Sequence, residues 1–236
     1  MLTGDILRRS SERFPHKVAL IRDATRISYA ELDASANRFA RALLQLGLPK
    51  GSKVAIVSRN LPEYAIVFFG TARSGLILVN VSVLYAPDEL AWVLQKADVR
   101  VLLFDALFSA RVGEVLPLCP AIHQVVRIDS PEAASAAWPD VIAAPIGFDA
   151  FFDGQPAHDP GVPLDENDPF CMTYTGGTTG RPKGVLCSHR ARAVTAHTVV
   201  VEEALDERDV VAIVTPMFHV AALNIMFQPA MLVGAT

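Results

Sequence analysis

The 236-residue sequence predicts an α/β fold with mainly parallel sheets flanked by helices. Three observations predict it. Short continuous apolar runs alternate with longer segments whose apolar residues recur at helical spacing. The apolar runs lack the in–out alternation of a half-exposed strand, so both sheet faces are expected to be covered. About half the residues are hydrophobic and 19% are charged, enough apolar surface for a sizeable core.

The elements follow in chain order. Ser28 and Glu31 have the spacing of a capping box. Leu32, Phe39, Leu43 and Leu46 then recur on one helical face, until Gly47 and Pro49 end the run. Residues 53–57, "KVAIV", read as a strand. A helix is expected from Asn60, with Glu63 as its cap partner and Gly75 as its stop. "LILVNV" (76–81) is a strand, "PDELAWVLQKAD" (87–98) a helix with acids in its first turn, and "VRVLLF" (99–104) a strand again. The rhythm then breaks. Seven of the sixteen prolines fall between residues 131 and 169, so residues 128–168 read as a Pro-rich surface connection after a first α/β unit (1–127). "FDAFF" (148–152) is expected to form a short helix within it. Strand "FCMTYT", a glycine loop, strand "GVLC" and a helix from Ser188 to about Glu203 open a second sheet unit (169–236). "VVAIVT" (210–215) is expected to be a buried strand.

Several function classes are excluded early. The formal charge is −4, without the basic stripe of a nucleic-acid binder. The cysteines at 119, 171 and 187 make no CxxC pair and are expected to be buried free thiols in a reducing cytoplasm. The N-terminus is not a secretory signal. Val210 to Thr236 contains no formally charged residue, but Pro216, His219, Asn224, Gln228 and Pro229 interrupt it, so no membrane span is expected. His189 and His197 lie eight apart, off a shared helix face, and no His/Cys grouping has zinc spacing.

"YTGGTTGRPKGV" (174–185) carries the chemistry. A backbone without Cβ atoms at Gly176, Gly177 and Gly180 can curl so that successive N–H groups converge on an anion. Thr175, Thr178 and Thr179 add hydroxyl donors, and Lys183 adds a mobile positive charge. Together they suit a phosphate chain. A tight hairpin with glycines serving only turn geometry is the competing reading, and it leaves the threonines and the lysine without a purpose. The stretch is not a Walker loop, because Arg181 and Pro182 separate Gly180 from Lys183 and Gly184 stands where Ser or Thr belongs. G-x-G-x-x-G and G-x-S-x-G are also absent.

This stretch resembles the phosphate-loop signature of the adenylate-forming superfamily, [YF]-T-S-G-T-T-G-x-P-K-G-V, with Gly176 where serine is commonest. "ISYAELDASANRFARALLQLG", "RSGLILVNVSVLYAPDELAWVLQKADVRVLL" and "TPMFHVAAL" are similar to further family blocks, in family order. Val81 replaces a common proline, and Ala222 stands at the last place of P-x-F-H-x-x-G. The resemblance implies the N-terminal part of the large domain of an acyl-CoA synthetase-like ligase. Such an enzyme joins a carboxylic acid to ATP with loss of pyrophosphate, then passes the acyl group to a thiol, here coenzyme A in preference to a carrier protein. ATP, Mg²⁺ and coenzyme A are the implied cofactors, and fatty acid metabolism in the cytoplasm the implied setting. Thr175 to Gly180 and Lys183 would hold the β- and γ-phosphates, with Lys183 also acting in catalysis. His219 would line the acyl pocket, with a satisfied core histidine as the competing reading; Phe218, Ala222 and Met226 could add pocket wall but read first as ordinary core.

The family's Mg²⁺-binding glutamate, its ribose-binding aspartate and its C-terminal lysine domain are not found, so no metal ligand is assigned. The chain alone is expected to be catalytically incomplete. A non-catalytic nucleotide-binding or interaction module is the alternative. The charge-free segment from Val210, left uncovered, is expected to favour self-association.

Overall fold

A computed structural model of the chain describes residues 1–130, 132, 138, 143–175 and 181–236. Seven strands form one sheet in the order β7-β6-β5-β3-β4-β8-β9. Its members are β3 (Lys53–Val57), β4 (Ile77–Asn80), β5 (Val99–Asp105), β6 (Gln124–Ile128), β7 (Ile146–Gly147), β8 (Pro169–Thr175) and β9 (Lys183–Ser188). Every neighbouring pair is parallel except β8–β9. A separate antiparallel hairpin joins β1 (Val18–Arg22) to β2 (Thr25–Ser28). The strands predicted at 53–57, 76–81, 99–104, 170–175 and 184–187 are all present, within about a residue at either end.

Alternating side chains divide the core between the two sheet faces. Val54, Ile56, Leu78, Val101 and Leu103 point to one face. Covering it are α1 (Thr3–Arg13), α2 (Tyr29–Gln45), α3 (Pro62–Ser74), α6 (Phe148–Phe152), α7 (His189–Glu202) and α8 (Gln228–Val233). Ala55, Val57, Val79, Leu102 and Phe104 point to the other, under α4 (Pro87–Lys96) and α5 (Ser109–Val115). Helix α3 is buried from Tyr64 to Ser74. At Gly70 it presses on α2 so closely that a Cβ there would lie 2.9 Å from the Ala36 carbonyl oxygen.

The capping box on α2 forms as predicted. The Ser28 hydroxyl accepts from the Glu31 N–H, and the Ser28 N–H donates to the Glu31 carboxylate. The connection after β6 does contain the expected short helix, α6. Its Phe148, Phe151 and Phe152 rings gather around Phe39 of α2. Farther along, α2 holds the chain again: Asn37 donates to the Ala157 carbonyl, and Arg41 to those of His158 and Asp159. The strands on both sides of this connection lie in the same sheet, because β8 pairs with β4.

Two expectations are corrected. Asn60 does not cap α3. Leu61 is the N-cap, and Pro62 takes the first helical position, where a missing N–H costs nothing. Nor do residues 210–215 form a strand. Val211, Ile213 and Thr215 are half-buried, while Val210 and Val214 are each 76% exposed. A strand needs a lateral partner. Among the described residues the segment's flank makes backbone–backbone bonds only with Thr236, through Val211 N–H to its carbonyl and Thr236 N–H to Asp209.

Candidate functional site

Because β8 is parallel to β3 through β7, its C-terminal end lies on the edge where all the parallel strands end. In open α/β sheets that edge is where ligands bind. The glycine loop leaves from there. Thr175, the last residue of β8, pairs directly with Lys183, the first of β9, so the two close the neck of the loop. Lys183 is solvent-exposed. Gly176, Gly177, Thr178, Thr179 and Gly180 lie outside the described residues.

The neck is anchored on both faces of the sheet. On the first, the buried Tyr64 hydroxyl donates to Asn80 Oδ1 at 2.7 Å, and Asn80 Nδ2 reaches Thr173 Oγ1 at 3.5 Å. This buried polar chain runs from α3 through the end of β4 to β8, two residues before the loop. Burial holds the Tyr64 phenol well above its ordinary pKa, so it stays a donor. On the second face, the Arg181 guanidinium lies over the Trp92 ring of α4, 5.5 Å from its centroid, and Trp92 meets Tyr174 edge-on. The loop's exit is thereby tied to α4. Gly184 follows, and a Cβ there would come within 2.8 Å of Met172 Sδ and 3.1 Å of Tyr174, so glycine lets β9 sit close to β8.

The predicted helix after β9 begins where expected. Ser188 caps α7 by accepting from Ala191 N–H. His189 is buried behind it, its Nδ1 accepting from Thr3 N–H and its ring stacked on Phe170. Burial is the largest cause of its pKa falling to about 4, so the ring is neutral and structural.

Asn60 has a role that its sequence spacing concealed. Its amide donates to the carbonyls of Ile213 and Thr215, and its oxygen accepts from Met217 N–H at 2.7 Å. It therefore fixes the segment leading to Phe218 and His219. Phe218 is buried, whereas His219 is exposed with its ring against that of Phe218. Ala222 is buried and Met226 half-buried within a π-helical turn, Ala221–Phe227, that runs into α8. An apolar cavity of about 390 Å³ lies near this segment, walled by residues including Ala19, Ile21, Leu61, Ile213, Met217 and Phe227. His219 is not among its lining residues. The structure thus brings Thr175 and Lys183 together at one edge, and holds His219 on a separate, Asn60-fixed segment.

Asn60 was legible only as a polar residue before a helix. The signal for Asn80 was plainer: an amide inside the apolar run "LILVNV" needs a buried partner. Among the described residues, no three His, Cys, Asp or Glu side chains gather as a metal would require. No helix among them is long and apolar enough to cross a membrane.

Comparison with known proteins follows the same lines. A family model described as "AMP-binding enzyme" matches residues 7–236. A medium/long-chain-fatty-acid–CoA/3-oxocholest-4-en-26-oate–CoA ligase of Mycolicibacterium smegmatis is 34% identical over 79% of this chain and 33% of its own length. The long-chain-fatty-acid–CoA ligase FadD13 of Mycobacterium tuberculosis is 30% identical over 97% of this chain and 43% of its own. The chain therefore spans less than half the length of these relatives. Among solved structures, an anthranilate CoA ligase, AuaEII, in complex with anthranoyl-AMP superposes on the whole chain and on 44% of its own, with a TM-score of 0.90 at 24% identity. That likeness speaks for the fold.

Proposed function

Because this chain belongs to the AMP-binding enzyme family, we propose that it is the phosphate-binding part of an ATP-dependent acid–thiol ligase. In this reading a carboxylate attacks the α-phosphorus of ATP, pyrophosphate leaves, and the acyl group of the resulting adenylate passes to coenzyme A. One observation carries it. Thr175 and Lys183 face each other across the neck of a glycine-rich loop, on the ligand-binding edge of a parallel sheet.

The chemical difficulty is charge, since an anion must approach a polyanion and the leaving pyrophosphate gathers more. Preorganised donors aimed at that charge lower the barrier because they need no reorganisation during the reaction. The loop amides between Thr175 and Lys183, together with the Lys183 ammonium, would take this role on the β- and γ-phosphates. Mg²⁺, when bound, would neutralise phosphate charge. No Mg²⁺ ligand is assigned, since no three His, Cys, Asp or Glu side chains gather among the described residues. His219 is proposed as a wall of the carboxylate site, reached through the segment that Asn60 fixes. The names of the two relatives support a medium- or long-chain fatty acid as the carboxylate.

In the complete enzyme, Lys183→Ala should raise KM for ATP and slow adenylation by about 10²–10³, the usual effect of removing one such donor. Unchanged ATP kinetics would refute the assignment. The 236-residue chain alone should bind nucleotide without ligating. Robust ATP–pyrophosphate exchange by it would overturn that part of the proposal, and a panel of carboxylates on the complete enzyme identifies the acid.

A further inference from the structure

Cys171 and Cys187 stand directly opposite each other in the antiparallel β8–β9 pair. Directly opposed residues share a sheet face, with Cα atoms about 4.5–5.5 Å apart. Disulfides span Cα separations of about 4.4–6.8 Å, so the backbone already has the required spacing. Both cysteines are free, Cys171 fully buried and Cys187 half-buried. A third group completes the cluster. Arg192, on the first turns of α7 and itself 2% exposed, donates from Nε to Cys171 Sγ at 2.8 Å. Its Nη1 is buried without a hydrogen-bond partner among the described residues. A buried guanidinium resting on sulfur, with a donor to spare, is placed to stabilise negative charge on the pair.

We propose that Cys171 and Cys187 form an oxidative modification site, converted by hydroperoxides into a cross-strand disulfide that staples the hairpin carrying the glycine loop.

The accessible Cys187 reacts first. Its pKa falls to about 6, chiefly because the Cys171 thiol hydrogen-bonds to it and also through the charge of Arg192, so it is largely thiolate at neutral pH. Those two are the titratable groups that act on it. The Cys187 thiolate attacks one peroxide oxygen, the O–O bond breaks, and the departing alkoxide takes a proton to leave as an alcohol or as water. Cys187 is now a sulfenic acid. Cys171 then loses its proton, with Arg192 Nε stabilising the thiolate, and attacks the Cys187 sulfur. The S–O bond breaks, and hydroxide leaves as water with that proton. In sum, two thiols give up two electrons and two protons, and one hydroperoxide becomes an alcohol and a water. Cys119 lies apart on the opposite face of the sheet, where burial raises its thiol to about 11, so it serves as an internal control.

The sequence makes the test direct. Trypsin cuts after Arg127, Lys183 and Arg190, which puts Cys171 in peptide 128–183 and Cys187 in peptide 184–190. The intact chain is treated with hydrogen peroxide, quenched with iodoacetamide and digested without reductant. The expected product is the two peptides joined, two hydrogens lighter than their sum, with Cys119 alkylated. Arg192→Gln should slow the joining about tenfold, the effect of raising the attacking thiol by one unit. Should that variant not fold, Cys171→Ser decides: with no second thiol, dimedone should trap the Cys187 sulfenic acid, which the wild type discharges. The proposal fails if Cys187 proceeds to sulfinic acid while Cys171 is recovered alkylated, or if dimedone labels wild type and Cys171→Ser alike.

Discussion

A single buried imidazole gives this chain a measurable dependence on pH. His189 stacks on Phe170 and accepts a hydrogen bond from Thr3 N–H, which requires an unprotonated Nδ1. Its pKa falls from 6.5 to about 4, first through burial, with Asp168 and Asp5 pulling weakly the other way. Between those two values the unfolded chain takes up a proton that the folded chain refuses, so stability declines as pH drops through the window. The lost increment is on the order of 2–3 kcal/mol. Denaturant titrations from pH 7 to pH 4 should show that loss, and His189→Gln, which keeps an acceptor, should remove most of it. If wild type and variant decline in parallel, the imidazole is not the cause.

Among the elements, the α2–α3 contact offers a test of packing against backbone. Gly70→Ala would place a Cβ 2.7 Å from Phe39 Cδ1 and 2.9 Å from the Ala36 backbone oxygen. A phenyl ring can tilt away, but a helix backbone cannot move alone. Overpacking typically costs about 1–3 kcal/mol, while alanine recovers up to about 1 kcal/mol of helix propensity. The clash wins, and thermal unfolding of Gly70→Ala should occur at lower temperature than wild type; an unchanged or raised midpoint would mean that the helices separate freely. The elements also divide by how far the sequence reveals them. Helix α2 announces itself through Ser28, Glu31 and an apolar stripe, and β3, β4, β5 and β8 through short, mainly apolar runs. The first hairpin does not, because its turn uses Asp23 with a φ of 51° rather than an Asn-Gly pair. Helix α1 buries only Ile6 and Leu7 among large apolar residues, too few to show a period. Residues 210–215 have a strand's composition but no strand beside them to pair with among the described residues, and a neighbour is not a local property. At the candidate site, the Thr175–Lys183 neck was readable from the glycine motif. The anchoring roles of Asn60 and Trp92 were not, because each depends on a partner distant in sequence, and Asn80 showed the need for a buried partner without showing which.

For the molecule as a whole, several large apolar residues after the glycine loop are exposed. Val185 and Leu186 of the edge strand are half exposed, Val201 on α7 is 75% exposed, Val210 and Val214 are each 76% exposed, and Ile225 is half exposed. Strand β9 pairs only with β8 among the described residues, so its other edge also offers backbone bonds. Self-association of the isolated chain is the expected outcome, seen as concentration-dependent sedimentation. Val214→Glu removes roughly 1.5–3 kcal/mol of available burial and should weaken association about tenfold or more. A single monomeric boundary at every concentration would contradict this. The pairing of β8 with β4 has a further consequence, for the order in which the chain folds. Leu78 must wait for Cys171 to be brought across the whole intervening span before their strands can meet. Closure of so long a loop precedes any gain from the contact, which makes such pairings slow. The hairpin that carries the glycine loop is thus expected to dock late, onto a sheet centre already assembled from nearer neighbours.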